Sequence, residues 1–179
     1  MTFPKGYADA VARLRVPSGF LLAAAFVFLS RPSWQSLGVG LPISALGLWL
    51  RAWAAGHLEK NRTLARTGPY AWMRNPLYIG TLTVAAGLVV ASQQWVLAVL
   101  FGAVFLLVYL PVIQNEEQHL RALFPEYAEY ARRVPALWPR RDADAPAGRF
   151  RWSTYRRNRE YEALLGFLAG VALLLWKAA

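Results

Sequence analysis

The sequence has no cysteine and only two histidines. Without cysteine the chain can form no disulfide, no thiolate metal site and no cysteine nucleophile. Two histidines cannot build a conventional zinc site unaided, so we predict no metal site. Residues 1–15 are polar and mixed in charge, and no small-residue cleavage site follows the first apolar run. We therefore expect that run to be retained rather than removed as a signal peptide.

Acidic residues are also scarce, with 10 Asp and Glu against 20 Lys and Arg and a formal net charge of +10. A basic chain of this kind is suited to anionic lipid headgroups or to an anionic ligand. The basic residues lie between apolar runs rather than on one soluble face. Nucleic acid is therefore not expected as a partner.

Apolar residues are abundant, because 56% of the chain is hydrophobic and 14% is aromatic. Five apolar segments have lengths at or just under the roughly 20 residues that a membrane-spanning helix needs. They predict an all-α, polytopic integral membrane bundle of about five transmembrane helices. The segments are Ser18–Ser30, Gly38–Gly56, Leu77–Ser92, Gln94–Ile113 and Tyr161–Trp176.

Two details of these segments bear on the topology. The first segment stops at Arg31, so it tilts little, extends back through Val16 or forms one hairpin with the second. Gln93 and Gln94 lie where the third segment meets the fourth, with almost no connecting chain, which predicts a tight antiparallel hairpin.

Positive charge predicts the orientation of the chain. Basic residues precede the first segment and fill the connection between the second and third, and they recur after the fourth. Basic connections face the cytoplasm. We expect the N-terminus inside, the C-terminus outside and an active site that faces the cytoplasm.

The region between the fourth and fifth segments predicts an amphipathic helix over Asn115 to Arg133, because apolar side chains recur there at helical spacing. Pro135 and Pro139 are expected to end it, and the Asp142–Gly148 segment is expected to be an exposed loop. The basic Arg149–Arg159 stretch then leads into the last span.

Two polar stretches are candidates for chemistry, and the first runs from Arg62 to Gly80. Thr67-Gly68-Pro69 predicts a turn, and Asn75-Pro76 predicts a helix cap followed by proline in the first turn. Free backbone N–H groups at that helix start, with Arg74 beside them, could hold a carboxylate. The alternative is a well-capped interfacial turn.

The second stretch is Asn115 to His119, where the fourth segment leaves the bilayer. Glu116 and Glu117 point about 100° apart on a helix, so one can face inward while the other stays in water. The inward carboxylate could bind a ligand or accept a proton. The alternative is helix capping and interfacial charge balance.

Together the two stretches resemble the membrane methyltransferases typified by isoprenylcysteine carboxyl methyltransferase and the phospholipid N-methyltransferases. That family has the pattern Gly-x-Tyr-x-x-x-Arg-His-Pro-x-Tyr-x-Gly, and the matching residues are Gly68, Tyr70, Arg74, Asn75, Pro76, Tyr78 and Gly80. The family's later block is similar to Glu116, Glu117, Leu120, Phe124, Tyr127, Tyr130, Val134 and Pro135. The resemblance covers residues 58–139.

The resemblance implies one integral membrane methyltransferase domain over residues 1–179, with an additional C-terminal span at about 161–176. It implies S-adenosylmethionine as cofactor, with S-adenosylhomocysteine as product, and a lipid-like substrate in the membrane. The implied cofactor-binding residues are Arg62, Thr63, Leu64, Ala65, Gly68, Tyr70, Asn75, Pro76, Leu77, Tyr78 and Glu116. The candidate catalytic residues are Glu117, Arg74 and His57, although His57 and Arg51 are also typical of snorkelling residues at a helix end.

The chain departs from the family at two informative positions. Asn75 replaces the usual histidine, which removes a proton-shuttling imidazole but keeps hydrogen bonding. Val112 replaces an arginine that carboxyl-methylating members carry four residues before the glutamates. Because a buried carboxylate without a cation is costly, we favour a phospholipid amine such as phosphatidylethanolamine.

Two alternatives stay open. One is carboxyl methylation of an isoprenylcysteine-like or other small hydrophobic acceptor. The other is a membrane transporter or scaffold subunit in which Arg51, His57 and the glutamate pair form an ion path. The near absence of ionisable residues from the last three apolar segments favours the enzyme. The sequence predicts no particular oligomeric state.

Overall fold

The computed structural model describes residues 3–179, except for the side chain of Lys5, and this part of the chain is helical without a β-strand. A 3₁₀ turn, Gly68–Ala71, precedes α3, and a π-helical stretch, Phe105–Tyr109, joins α4 to α5. The helices are α1 (Lys5–Leu29), α2 (Trp34–Ala55), α3 (Pro76–Ser92), α4 (Trp95–Val104), α5 (Leu110–Leu123), α6 (Tyr127–Arg133), α7 (Trp152–Arg157) and α8 (Tyr161–Ala178).

Four helical stretches are long and apolar enough to cross a membrane, and they are Gly6–Leu29, Trp34–Ala55, Trp95–Leu123 and Tyr161–Ala178. The third apolar segment forms α3, a shorter helix of 17 residues. This length is at the lower end of what spans a hydrocarbon core about 30 Å thick. The predicted helical membrane bundle is confirmed.

The first span is longer than its apolar run. Helix α1 begins at Lys5 and continues through Pro17, so the segment does extend back past Val16. Proline removes one backbone donor from the helix, and the Ser18 hydroxyl donates to the Arg15 carbonyl at 3.1 Å in the same turn.

The described chain forms two compact units, and each is considered by itself below. The first comprises Met1–Ser44, Ala85–His119 and Ala169–Ala179. The second comprises Ala45–Val84 and Leu120–Leu168. The second unit contains the whole Arg62–Gly80 stretch, whereas the glutamate pair belongs to the first.

The first unit has an apolar core formed by residues from five helices. Its buried members are Phe26, Leu37, Ala91, Leu97 and Leu174. The predicted hairpin between α3 and α4 is confirmed, since Gln93 adopts a positive φ of 54° between them. The Lys177 ammonium donates to the carbonyl of Ser30 at 2.9 Å and so caps the end of α1.

The π-helical stretch also lies in the first unit. A π turn shifts the backbone hydrogen bonds by one residue and leaves a carbonyl poorly satisfied. The Tyr7 hydroxyl donates to the Leu107 carbonyl at 2.8 Å. A residue of α1 thus supplies the partner that this irregular stretch of span four needs.

In the second unit, α2 and α3 approach closely through glycines. A Cβ added to Gly47 would lie 2.6 Å from the carbonyl oxygen of Gly80 and 2.6 Å from the backbone nitrogen of Val84. No side chain fits at that distance. Small residues let membrane helices pack backbone against backbone, where dispersion rather than water drives association.

The predicted amphipathic helix over Asn115 to Arg133 is divided in the structure. Its first part continues span four as α5, and its second part is the separate helix α6. Pro125 explains the division, because a proline disfavours helical geometry in the residue before it and lacks an N–H of its own. The predicted end before Pro135 is confirmed, since α6 ends at Arg133.

Candidate functional site

The Arg62–Gly80 stretch connects α2 to α3, and its central turn depends on Gly68. Gly68 adopts a positive φ of 59°, as the predicted turn requires. A Cβ on Gly68 would also lie 2.7 Å from Nε2 of His57. Glycine is therefore needed at this position for both backbone conformation and space.

His57 lies just after α2 and holds this turn. Its side chain is buried, and Nδ1 lies 2.8 Å from the Thr67 hydroxyl. Burial lowers the pKa of His57 below its ordinary value of 6.5, and the nearby positive charge of Arg151 lowers it further. The neutral imidazole is thus the form that the fold favours.

A cluster of aromatic and aliphatic side chains packs against the start of the same stretch. Tyr127, Tyr130 and Val134 are its buried members, and Leu64 packs against them. The Tyr130 hydroxyl donates to the Tyr70 carbonyl at 2.7 Å. Tyr127 and Tyr130 of the later family-like block are therefore buried against the stretch rather than exposed to solvent.

Arg74 and Asn75 attach the turn to the residues that follow α6. The Arg74 guanidinium donates through Nη1 to the carbonyls of Ala131 at 2.8 Å and Val134 at 3.0 Å, which caps α6. The Asn75 amide nitrogen donates to the Ala136 carbonyl at 3.3 Å. Asn75 precedes α3, and its own carbonyl accepts from the backbone nitrogens of the helix's first turn. The predicted cap is confirmed.

Arg51 of α2 forms a bidentate ion pair rather than a snorkelling contact. Its Nε lies 2.5 Å and its Nη2 3.1 Å from the two carboxylate oxygens of Glu160. Nη1 donates to the Thr81 hydroxyl of α3. Glu160 is buried, and the guanidinium beside it supplies the partner that a buried carboxylate requires.

The segment before α8 folds back onto the end of α2. Phe150 occupies the space over Gly56, and the Arg151 backbone nitrogen donates to the Gly56 carbonyl at 3.1 Å. The Asn158 amide donates to the carbonyls of Ala55 and Leu58, both at 2.8 Å. These contacts satisfy carbonyls that the end of a helix otherwise leaves unpaired.

These C-terminal partners are the residues that sequence reasoning missed. The Asp142–Gly148 segment is a loop whose residues are mostly exposed, as predicted, but Asp142 is buried and Gly148 lies close to Thr67. The Asp142 backbone nitrogen donates to the Ala71 carbonyl at 2.8 Å. No spacing in the sequence signals these pairings, although aromatic and glycine residues within a basic loop are a weak hint that it packs.

Comparison with known proteins identifies the family of this chain. A family model described as phospholipid methyltransferase matches residues 35–127, which is more than half of the chain. The chain belongs to the phospholipid methyltransferase family. The matched range contains both the Arg62–Gly80 stretch and the glutamate pair, and it confirms the resemblance.

Two curated relatives of this family member carry names that concern metal ions. The cobalt-zinc-cadmium resistance protein CzcN of Cupriavidus metallidurans is 36% identical over 70% of this chain and 62% of its own length. The nickel-cobalt-cadmium resistance protein NccN of Alcaligenes xylosoxydans xylosoxydans is 36% identical over 57% of this chain and 47% of its own length. The chain thus spans about half to two thirds of these relatives. No solved structure gives a significant match.

Within the family-matched range, the predicted cofactor-binding residues divide by exposure. The first group is open at least in part to a ligand, and its members are Arg62, Thr63, Leu64, Ala65, Gly68, Leu77 and Tyr78. The second group is buried and consists of Tyr70, Asn75 and Pro76. The buried group holds the backbone of the stretch in place, whereas the open group can touch a ligand.

Glu116 and Glu117 lie on α5 in the first unit. The Glu116 side chain is 49% exposed and its carboxylate lies 3.7 Å from the Arg15 guanidinium. Glu117 is partly buried, and Val112 one turn earlier is buried. The roles of both glutamates in ligand binding stay predictions from the resemblance.

Proposed function

We propose that this protein is an S-adenosylmethionine-dependent membrane methyltransferase whose acceptor is a phospholipid amine such as phosphatidylethanolamine. The observation that carries the proposal is the family match over residues 35–127, which includes the first motif block and the later block as far as Tyr127. The helical membrane bundle supports it, because a lipid acceptor reaches such a site from within the bilayer. The active face is proposed to be cytoplasmic.

The residues present suit the chemistry of the cofactor. Leu77 and Tyr78 offer partly exposed apolar and aromatic surface, and the half-exposed Glu116 offers a carboxylate for hydroxyl or ammonium groups. S-adenosylmethionine supplies a methyl group already activated by a sulfonium. The protein's own contribution is then to bind and orient the two reactants and to exclude water.

Rigidity of the Arg62–Gly80 stretch supports this role. Its turn is attached to α2 through His57 and to the end of α6 through Arg74. A binding site held by such supporting hydrogen bonds keeps its geometry within the tolerance that alignment requires. In this proposal His57 and Arg74 position the stretch, and neither needs to contact the substrate.

An amine acceptor suits the surroundings of the glutamate pair better than a carboxylate. Val112 is only 5% exposed and offers no charge to a substrate carboxylate. An amine must instead lose a proton before it attacks, and a carboxylate can accept that proton. We assign this role to Glu117, which is partly buried on α5.

Titration calorimetry with S-adenosylmethionine and S-adenosylhomocysteine tests the proposal. The detergent-purified protein is expected to bind both with micromolar affinity. Tyr78→Ala and Glu116→Ala should each weaken binding about tenfold or more, which corresponds to about 1.4 kcal/mol. Gln118→Ala, an exposed substitution two residues from Glu116, serves as the control and should bind normally.

Two outcomes would contradict the proposal. A folded wild-type sample that binds neither compound would favour a transporter or scaffold subunit. Unchanged affinity in both folded variants would overturn the assignment of these two residues. Mass spectrometry of phosphatidylethanolamine incubated with enzyme and cofactor then identifies the acceptor, because each transfer adds one methyl group.

The names of the two relatives favour a second candidate function, a part in resistance to divalent metal ions. A methyltransferase that alters lipid headgroups could take this part by changing the charge and packing of the membrane surface. Growth of a host strain in cobalt, zinc and cadmium, with the wild-type gene or the Tyr78→Ala variant, tests it. Equal protection by the wild type and the Tyr78→Ala variant would mean that metal resistance does not depend on methyl transfer.

A further inference from the structure

Helix α7 is held against the end of a membrane span at both of its own ends. The backbone nitrogen of Arg151, just before α7, donates to the Gly56 carbonyl at 3.1 Å. The side-chain amide of Asn158, just after α7, donates to the Ala55 carbonyl at 2.8 Å. Ala55 is the last residue of α2, which is long and apolar enough to cross a membrane. Helix α7 therefore lies where that span ends.

The same short helix leads directly into another apolar helix. Residues 158–160 alone separate Arg157, the last residue of α7, from Tyr161, the first residue of α8. Even a fully extended chain would span at most about 14 Å over this distance. The connection is in fact turned, because the Arg159 backbone nitrogen donates to the Arg156 carbonyl at 3.0 Å. These limits place α7 at the level of the lipid headgroups, which begin where the hydrocarbon core ends.

The exposed side of α7 combines an aromatic ring with cations. At about 100° per residue, four exposed residues lie within one arc of about 140°, and they are Trp152, Ser153, Arg156 and Arg157. Thr154 lies outside this arc and is only 1% exposed, whereas Trp152 is 69% exposed. Tryptophan rings favour the membrane interface, and arginine side chains reach from there to phosphate groups. This arc, the outer face of α7, has the composition of a surface that meets lipid.

The positive charge around the outer face of α7 is only partly neutralised by the protein. Residues 149–159 contain five arginines and no acidic residue. Arg151 and Arg157 lie 2.6 Å and 3.5 Å from the same carboxylate oxygen of Glu59, so these two cations share one negative charge. Arg156 is exposed and takes part in no ion pair within residues 3–179. An anionic surface is the complementary partner.

We propose that the outer face of α7 docks on anionic phospholipid headgroups, with the Trp152 ring at the headgroup level and the Arg156 guanidinium on a lipid phosphate. Each arginine near an anionic membrane surface strengthens the attraction about fivefold. A zwitterionic headgroup such as phosphatidylcholine balances its own phosphate with an amine. Docking therefore depends on lipids with net negative charge, such as phosphatidylglycerol.

Docking of α7 also affects the connection that covers the end of α2. Phe150, two residues before α7, occupies the space over Gly56, and Gly148 lies close to Thr67 of the Arg62–Gly80 stretch. Lipid that holds α7 therefore restrains the residues that cover this stretch. The contact involves the membrane surface rather than the methyl acceptor, so the inference does not rest on the proposed function.

A fluorophore on α7 in lipid nanodiscs tests the inference. Ser153→Cys provides the chain with its only thiol, and a nitrobenzoxadiazole label there lies within the outer face of α7. The two nanodiscs contain phosphatidylcholine alone or phosphatidylcholine mixed with phosphatidylglycerol. In the anionic nanodiscs the emission should shift to shorter wavelength and become more intense, because the label leaves water. Concentrated salt should reverse this change, since it screens the charges.

Arg156→Gln in the labelled protein should lose most of the shift that phosphatidylglycerol causes, because it removes the cation without an acidic partner from this face. Arg132→Gln is the matched control, since it removes the same charge from an exposed position on α6 and should keep the full shift. These measurements need neither cofactor nor turnover. Their outcome is therefore independent of whether the protein transfers methyl groups.

Identical emission in the two nanodiscs would overturn the inference. Emission typical of water in both would mean that the outer face of α7 is left to solvent or to a soluble protein, and shifted emission in both would mean that lipid charge is irrelevant. Equal shifts in Arg156→Gln and Arg132→Gln would overturn it too, because Arg156 would then have no special part. Should Arg156→Gln not fold, the effect of salt on the labelled Ser153→Cys protein decides, and an emission that salt leaves unchanged would contradict docking through charge.

Discussion

At the scale of single residues, the motif of this family member serves two purposes. Some of its residues, such as Tyr78, are partly exposed, and others hold the stretch by contacts within the protein. Arg74 caps α6, and the Tyr70 carbonyl accepts a hydrogen bond from Tyr130. A substitution at Arg74 is therefore expected to lower stability.

His57 makes stability depend on pH. Because the folded state lowers its pKa below the ordinary 6.5, the unfolded state binds more protons in the window between the two values. The free energy of unfolding should then rise with pH through that window, by at most about 1.4 kcal/mol per pH unit, and level off above about pH 6.5. Denaturation in mixed micelles between about pH 5 and 8 measures this.

The variant His57→Gln should lose this pH dependence, since the glutamine side chain does not titrate. His119→Gln, which changes the exposed second histidine, should keep the wild-type profile. Parallel pH profiles for the wild type and His57→Gln would show that the fold does not disfavour the charged imidazole.

At the scale of secondary-structure elements, α2 packs on α3 in the second unit. This contact fixes the position of Gly80, the last residue of the Arg62–Gly80 stretch. The small residues Gly47 and Gly80 let the two backbones meet. The ion pair of Arg51 with Glu160 then joins α2 to the start of α8, and Thr81 joins it to α3. The stretch thus lies between α2 and α3, and their separation is set by the glycine contact and by the hydrogen bond from Arg51 to Thr81.

Adding one methyl group at this contact should be costly. Gly47→Ala places a Cβ 2.6 Å from backbone atoms of α3, which cannot move away independently of their helix. We expect a loss of about 1–3 kcal/mol in the free energy of unfolding. Gly38→Ala in the same helix is the control, because a Cβ there meets nothing within 4 Å. Similar stabilities of the two variants would mean that α2 and α3 are not in backbone contact.

At the scale of the whole molecule, the chain is a helical membrane protein with basic connections. Four helical stretches have the length and composition to span a bilayer, and α3 is a shorter fifth. The orientation with the N-terminus inside and the C-terminus outside is a prediction from charge. It requires that every one of the five apolar helices crosses.

Single cysteines measure this orientation directly, since the chain has no cysteine of its own. In intact cells, an impermeant maleimide should label Ala178→Cys and should not label Ala143→Cys until the membrane is permeabilised. Ala143 is exposed in the connection after α6, so access of the reagent is not limited by folding. Labelling of both positions from the same side would mean that one helix does not cross.

Much of this molecule follows from its sequence. The apolar runs specify the helical membrane bundle, because lipid leaves backbone polar groups no partner outside a helix. The positive-φ turn at Gly68, the cap at Asn75 and the hairpin at Gln93 follow from local chemistry, which needs only neighbouring residues. The two motif blocks were sufficient to predict the family.

The tertiary structure decided which polar residues support the site and which are left to bind. Glu160 pairs with Arg51 from 109 positions away, and Asn158 caps α2 from 103 positions away. Such partners have no periodicity or spacing that a sequence could display, since they are chosen by which helix ends meet in space. The same packing gives the guanidinium groups of Arg51 and Arg74 hydrogen-bond partners within the protein. Hydrogen bonding in three dimensions, rather than residue type, gives these arginines their structural roles.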